Sequence, residues 1–331
     1  MSNRARLAIA AVCVALSVTL GACAVAPVGA SGTDEQVLTD LRLMVPNAPG
    51  GGYDITARTA AKAMEDAGIA RDIQVFNLVG ATGTVGLTRL VNERGNGRLA
   101  MMMGLGLVGS VHTVGSRVTL AETTPLARLI EEPGIIVVSK QSPYRTLGDL
   151  LAAWKANPAE VKVGGASAVG GPDHLLPMQL ARAVGVPAKQ VDYTSYDSGG
   201  ELLPAILRNK VDFAASGVGE YLDQIAAGGL QVLAVTSEAR LAALDAPTLK
   251  EQGVDLAFTN WRGVVAPPGI AESDRAALVG ALDRMRRSEQ WQDVIKKNGW
   301  TDAYLTGPQF GTFIAEQDRR VGRVLAAVGL D

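Results

Sequence analysis

Two cysteines and two histidines are all that 331 residues contain of either type. Cys13, Cys23, His112 and His174 are too few and too scattered to build a Cys/His metal centre, so no metal is expected. Aromatics make up 5% of the chain, meagre for a site that stacks sugars or bases. No basic stripe interrupts a formal net charge of −2, which argues against a nucleic-acid partner. The G-x-S-x-G elbow of many serine hydrolases is missing. There is no solenoid repeat and no collagen-like glycine period. What is present is 47% hydrophobic and 19% charged residues, which excludes disorder for the bulk of the chain. The length allows about two domains with real cores. Glycine is abundant, at 38 residues, and it is clustered.

The N-terminus has the form of an export leader. Arg4 and Arg6 precede an uncharged run from Leu7 to Leu20, too short to span a bilayer that needs ~20 residues. The run ends in Leu20-Gly21-Ala22-Cys23, which resembles the bacterial lipobox. That resemblance implies a signal peptide over 1–22, a lipid-modified Cys23 and a membrane anchor on the extracytoplasmic or periplasmic side. An ordinary leader with a chance cysteine is the blander alternative. Residues 23–36 are small and polar, the composition of a tether. Cys13 leaves with the leader, so the mature chain has no disulfide and no thiol nucleophile. It also loses two arginines, which takes the net charge to −4.

Beyond the tether, apolar strand-like runs alternate with helical patterns. Leu41–Val45, Ile73–Asn77, Leu99–Met103, Ile135–Ser139, Val161–Gly164, Phe213–Ala215, Val232–Val235 and Val264–Ala266 read as strands. Helices are expected over about Ile55–Ala67 and Val85–Glu93, and a long helical region from about Glu272 to the end. The alternation predicts an α/β protein with largely parallel sheets, in which ligands bind at the carboxyl ends of strands.

The glycines fall at those ends. Ala48-Pro49-Gly50-Gly51-Gly52-Tyr53-Asp54 joins the first strand to its helix. Three glycines in a row let several amides approach a ligand, and Asp54 is placed to cap the helix. Gly80-Ala81-Thr82-Gly83-Thr84-Val85-Gly86 repeats the device with hydroxyls added. Gly104-Leu105-Gly106-Leu107-Val108-Gly109 matches G-x-G-x-x-G, a weak signal away from the first strand, and no helix is expected to open from it. Gly164 to His174 (GGASAVGGPDH) follows another strand, with Ser167 able to bond an anion and Pro172 suited to a first helical turn. His174 is read as a structural hydrogen-bonder. Tyr196-Asp197-Ser198-Gly199-Gly200-Glu201 precedes a further helix. Asp54, Asp173 and Asp197 are candidate general acids or bases, but helix capping accounts for all three, and no enzyme is expected.

Six blocks in order, VPNAPGGGYDITAR, NLVGATGTVG, GGASAVGGPDH, YDSGGELLPAILRNKVDFAASG, VLAVTSEARL…APTLKEQGV and NWRGVVAPPGI, resemble the substrate-binding proteins of tripartite tricarboxylate transporters, the TctC or Bug family. The GGGYD, NWRG and GWTDAYL segments are similar to the citrate-type branch. The resemblance spans nearly all of 41–331. It implies a two-lobed periplasmic-binding-protein fold of type II character, each lobe a mostly parallel sheet flanked by helices, with the ligand in the cleft. Lobe 1 would hold 37–137 plus 262–331, and lobe 2 would hold 138–261.

The resemblance further implies a monomeric solute-binding lipoprotein without cofactor that hands a di- or tricarboxylate to one large and one small membrane subunit. By matching blocks, the pocket would be formed by Gly51, Gly52, Tyr53, Asp54, Gly83 and Thr84 from one side. Ser167, Gly170, Asp173, Asp197, Ser198 and Gly199 would come from the other. Arg262 is a further candidate, as ligand clamp or as interlobe ion pair. Amides and hydroxyls do not titrate, so binding is expected to be flat across neutral pH. Two rival functions keep the same residues: a sensor subunit for a membrane histidine kinase, and an extracytoplasmic enzyme acting on a carboxylate or sugar.

Overall fold

The computed structural model describes residues 37–330 apart from Ala243. The expected leader, Cys23 and the tether lie outside the described residues.

In chain order the elements are β1 (Leu38–Thr39), β2 (Arg42–Val45), α1 (Gly52–Asp66), β3 (Ala70–Arg71), β4 (Gln74–Asn77), α2 (Thr84–Asn92), β5 (Leu99–Gly104), α3 (Leu105–Thr113) and β6 (Thr124–Ser139). They continue with α4 (Leu147–Ala156), β7 (Lys162–Gly165), α5 (Pro172–Val184), β8 (Asp192–Ser195), α6 (Gly199–Leu207), β9 (Phe213–Gly217), α7 (Leu222–Ala226) and β10 (Leu230–Val235). The last are β11 (Thr259–Ala266), α8 (Glu272–Arg287), α9 (Glu289–Asn298), β12 (Thr301–Thr306) and α10 (Gly307–Val328).

One curled, mixed sheet runs in the order β4-β2-β5-β11-β6-β9-β7-β8, with β10 and β12 also paired to β6. The sixteen-residue β6 is its spine. From Thr124 to Pro133 it pairs with β11, and from Gly134 onward with β9. Within this sheet parallel pairing is confined to β4-β2-β5 and to β8-β7-β9, the outer strands of each half, and β1 and β3 form a separate parallel pair. The strands near the crossing, β11, β6, β9 and β10, pair antiparallel. Parallel neighbours need a crossover connection, and α1, α2, α5 and α6 supply it between the outer strands. At the crossing, the Gly134 amide donates to Thr236 Oγ1 (2.7 Å), which itself donates to the Phe258 carbonyl (2.6 Å).

Both sheet faces are covered, as continuous apolar strands require. Leu43, Val45, Ala100 and Met102 alternate onto the face under α1 and α8. Met44, Met101 and Met103 take the opposite face, in a core that includes Trp154, Phe213, Trp261 and Phe310. Ile135, Val137, Leu202, Ile206 and Tyr221 form a third cluster beneath α6.

Two expectations about elements are corrected. α3 opens directly after Gly104, where no helix was expected. Its glycines are poor helix formers, but Leu107 and Val108 are fully buried, and that burial outweighs propensity. The long C-terminal helical region is three helices interrupted by β12, which pairs with β6. Gly299, in the left-handed region at φ 64, ends α9 and turns the chain into that strand.

Candidate ligand-binding site

Five helices start where the glycine-rich segments end: α1 after Gly51, α2 after Gly83, α3 after Gly104, α5 after Gly171 and α6 after Ser198. Each follows the carboxyl end of a strand. A helix start leaves its first amides without intrahelical acceptors, so these ends are donors in waiting. The second loop is also strained. Ala81 (φ 43) and Thr82 (φ 52) hold left-handed conformations that L side chains rarely adopt, a pattern that concentrates at functional loops.

Close backbone approaches bring the two halves together at these ends. A Cβ on Gly109 would overlap the carbonyl oxygen of Gly170, whose own φ of 89 also requires glycine. A Cβ on Gly106 would stand 3.5 Å from Pro172 Cδ and 3.2 Å from Tyr53 Oη. Tyr53 Oη accepts the Leu107 amide (3.0 Å), which leaves its own proton free to donate. Burial pushes the Tyr53 phenol up to about 12, against the Leu107 amide, Arg262 and the Gly106 amide, so it stays protonated.

Gly52 lies flat on a guanidinium: a Cβ there would be 2.7 Å from Arg262 Nη2. Arg262, 4% exposed, donates to Glu132 Oε2 (2.5 Å) and Thr56 Oγ1 (3.3 Å), and its Nε is buried without a partner among the described residues. Glu132 also accepts the Gly219 amide (3.1 Å).

Asp54 is fully engaged. Its carboxylate accepts from the Gly50 amide (2.9 Å), Asn77 Nδ2 (2.9 Å) and Arg58 Nε (3.0 Å). Burial pushes its pKa up, but those hydrogen bonds outweigh it and leave the carboxyl below its ordinary value. It fastens the triple-glycine loop to α1 and β4 from inside the first turn. The capping expected of Asp54, Asp173 and Asp197 is corrected: the cap positions are Gly51, Gly171 and Ser198, because the extended backbone before each helix ends there. Thr84 is buried and donates to the Ala81 carbonyl (2.9 Å), closing the second loop. Gly83 packs beside Leu107 and Pro46.

In the second half, Ser167 Oγ accepts the Asp173 amide (3.4 Å), and its carbonyl accepts Tyr193 Oη (2.8 Å) and Ser195 Oγ (2.9 Å). Asp173 Oδ2 accepts the Ala166 amide (2.9 Å). Burial, then the Glu220 charge, hold its carboxyl well above the usual range, against the Ala166 and Ser167 hydrogen bonds. His174 Nδ1 accepts the Gly170 amide (3.2 Å) and burial lowers its pKa to about 4, which fits the structural role expected of it. Ser198 caps α6 through the Glu201 amide (3.3 Å). The Gly199 carbonyl accepts Tyr221 Oη (3.0 Å). Asp197 is exposed, with its amide turned to Glu201.

Glu132 and Glu220 escaped the sequence reading. Glu220 closes the turn after Gly217, the same strand–glycine–turn pattern seen at the other loops, and that pattern was the available signal. Glu132 stands in a mid-strand Glu-Glu-Pro-Gly run and is buried, with nothing in the local sequence to mark it. A separate cavity of about 180 Å³ lies behind the crossing, between β11, α5 and α10, and is lined by Gln179, Phe258, Trp261 and Arg320. It meets the glycine-rich ends only at Leu105. The backbone donors and buried charges favour the glycine-rich side as the site.

A family profile described as "Tripartite tricarboxylate transporter family receptor" matches residues 56–330. The chain belongs to this family. Members are extracytoplasmic solute-binding receptors. Among curated relatives it is 25% identical to Protein BugT of Bordetella pertussis over 314 residues, 92% of this chain and 93% of that one. It is 26% identical to a UPF0065 protein from the TAR-I ttuE-ttuC' intergenic region of Agrobacterium vitis, over 76% of this chain and 73% of that one. Among solved structures, the periplasmic binding protein BugD superposes with a TM-score of 0.76 at 22% identity, covering 88% of this chain and 98% of that one. MatC from Rhodopseudomonas palustris with bound malate gives 0.72 at 21%, over 87% and 99%. An R. palustris protein with adipate gives 0.77 at 20%, over 88% and 97%. At these identities the structures establish the shared two-lobed α/β fold.

Proposed function

We propose that this receptor is a non-enzymatic lipoprotein that captures a small di- or tricarboxylate of the citrate kind and delivers it to the membrane subunits of a tripartite transporter. The carrying observation is the meeting of helix starts from both halves at Tyr53, Gly106, Gly109, Gly170 and Pro172. Fixed amides and hydroxyls aimed into one cleft suit an anion without a countercharge at every oxygen. Malate and adipate in two structures of the same fold support the class of ligand.

In this reading, residues 37–137 with 262–331 form one lobe and 138–261 the other, and ligand binding favours their closed arrangement. The first amides of α1, at Gly52 and Tyr53, with Gly51 and the Gly83–Thr84 turn, hold one carboxylate. Ser167, Gly170, Ser198 and Gly199 address the other end. Asp54 positions the first loop and Arg262 underlies it.

A thermal-shift screen of organic acids tests the proposal. A true ligand at ~100 times its Kd stabilises the fold by about 2.7 kcal/mol. No shift with any di- or tricarboxylate, alongside a shift with a sugar or a cation, contradicts it. The anchor is tested separately: Cys23→Ala is expected to move the protein from the membrane to the soluble fraction, and retention after a high-salt wash removes the lipoprotein reading.

A further inference from the structure

The two walls of the cleft differ in kind. On the α1 side stand amides and the Tyr53 hydroxyl. On the α5–α6 side stand acids. Asp173, 8% exposed, lies in the first turn of α5. Glu220 is open to solvent yet ringed by protein; its Oε2 accepts Ser216 Oγ (3.2 Å) and lies 2.5 Å from where a Cβ on Gly199 would stand. Glu132 stands between the walls, on the spine strand β6, with its Oε1 2.6 Å from where a Cβ on Gly217 would stand.

Only Glu132 has its charge answered. Arg262 donates to it, and the Gly219 amide adds a second bond. Arg262 also acts on Glu220, though behind burial and the Glu132 charge, which push the Glu220 carboxyl up. Asp173 feels burial and the like charges of Glu220 and Glu132. The other titratable groups facing the pair bring no charge. Tyr193 and Tyr221 are raised by burial and stay neutral, and His174 is neutral with its Nδ1 turned to Gly170. The Nε of Arg262, in a side chain 95% buried and facing Gly52 at the start of α1, is a donor without a partner among the described residues.

A polycarboxylate spanning this cleft sets one carboxylate against the acid wall. Two ionised carboxylates cannot share such a site, but a carboxylic acid and a carboxylate form a strong, short hydrogen bond. We propose that the loaded cleft takes up one proton from solution, carried as an O–H on Asp173 or Glu220 that donates to a ligand carboxylate oxygen. This rests on the carboxylate-receptor reading above, and it replaces the flat neutral-pH binding expected from amides and hydroxyls alone. It also makes Glu220, absent from the sequence-based candidates, a specificity-determining residue: the acid wall accepts a carboxylate only together with a proton, and rejects ligands that cannot share one.

Calorimetric titration of the whole protein with malate, adipate and citrate, at about pH 7.5 in two buffers of different ionisation enthalpy, counts the protons bound. The expected count with malate or adipate approaches one. Kd then rises toward tenfold per pH unit on the alkaline side. Glu220→Gln, which keeps an acceptor for Ser216, and Asp173→Asn are each expected to lower the count and flatten the slope, with a thermal melt of each variant checking that it is folded. Binding with no proton uptake overturns the inference and leaves the receptor reading standing, as does an uptake unchanged in both variants. Proton release would mean that the acids serve as ionised acceptors for a cationic ligand group, and also overturns it. If none of the three acids binds, the receptor reading falls and this inference with it.

Discussion

Arg262 on β11 donates to Glu132 on β6 across 2.5 Å, with the two side chains 5% and 4% exposed. The guanidinium also lies 5.6 Å from the Trp300 ring and reaches Thr56 on α1. One buried pair therefore joins the spine strand, its neighbour and the helix that opens at the triple glycine. Removing one partner of such a pair strands the other charge in a dry site. Glu132→Ala is expected to destabilise the protein by about 3–5 kcal/mol. Urea unfolding with intrinsic tryptophan fluorescence measures it. A loss below about 1 kcal/mol would mean that the pair carries no structural weight.

Gly109 and Gly170 touch backbone to backbone, and nothing larger than hydrogen fits between them. Gly109→Ala drives a methyl into the Gly170 carbonyl. Overpacking of this kind costs about 1–3 kcal/mol. Separation of the two halves relieves it, so the cost is expected in binding, as a roughly tenfold to hundredfold rise in Kd, with a smaller change in Tm of the empty protein. Calorimetry and a thermal melt on the same variant check it. A large Tm loss with unchanged affinity would place this contact in the fixed core instead of the moving interface.

Asp173 gives a stability signature in the empty protein. Its carboxyl is raised in the folded state, by burial and then by Glu220. The folded protein therefore binds more protons than the unfolded chain once pH exceeds the ordinary carboxyl value of about 4. Stability from this group falls as pH rises from there through the folded pKa, and the penalty is complete above it. Asp173→Asn removes the charge and keeps an acceptor for the Ala166 amide. Its Tm is expected to match wild type in acid and exceed it increasingly toward neutral pH. A difference independent of pH, or a less stable variant at neutral pH, contradicts the assignment.

Asp54 behaves in the opposite sense. Burial raises its pKa, but hydrogen bonds from Arg58, Gly50 and Asn77 outweigh that and hold it below the ordinary value. Its contribution is present above the unfolded carboxyl pKa and lost as pH falls through the lower folded value. Asp54→Ala is expected to cost about 1.5–3 kcal/mol at neutral pH, as the loss of a hydrogen-bonded charged acceptor does, and to weaken binding by loosening the Gly50–Gly52 loop. Denaturant melts at neutral and acid pH check it, since the difference from wild type shrinks in acid. A loss that persists undiminished there would show that packing, not the carboxylate, holds the loop.

Much of this arrangement is legible in the chain itself. Leu99–Met103 announces its strand because it is continuously apolar and buried on both faces, and Leu41–Val45 and Ile73–Asn77 announce theirs as short apolar runs broken by one or two polar residues. The glycine clusters at strand ends mark the helix starts for a local reason, since backbone approach needs glycine. α3 was hidden because its support is tertiary: Leu107 and Val108 hold a glycine-rich helix in place by burial that no local window displays. β12 was hidden because its pairing partner lies 170 residues away, with Thr301 opposite Glu131. The acid wall was hidden for the same reason. Glu132 and Glu220 are ordinary polar residues in sequence, and they become unusual only when the fold sets them beside Arg262 and Asp173.

The proposed function turns on a carboxylate cradle formed by the glycine-rich helix starts. Calorimetric titration of wild type and Gly51→Val with malate, adipate and citrate tests it most directly. A Cβ at Gly51 meets Asn47 at 2.8 Å, and a β-branched side chain there stiffens the loop and fills the space before the α1 amides. The account predicts one-to-one binding of at least one of these acids to wild type, and no measurable binding to Gly51→Val, whose melt stays cooperative. Binding to Gly51→Val at wild-type strength, or no binding of any of the three to wild type, would contradict it.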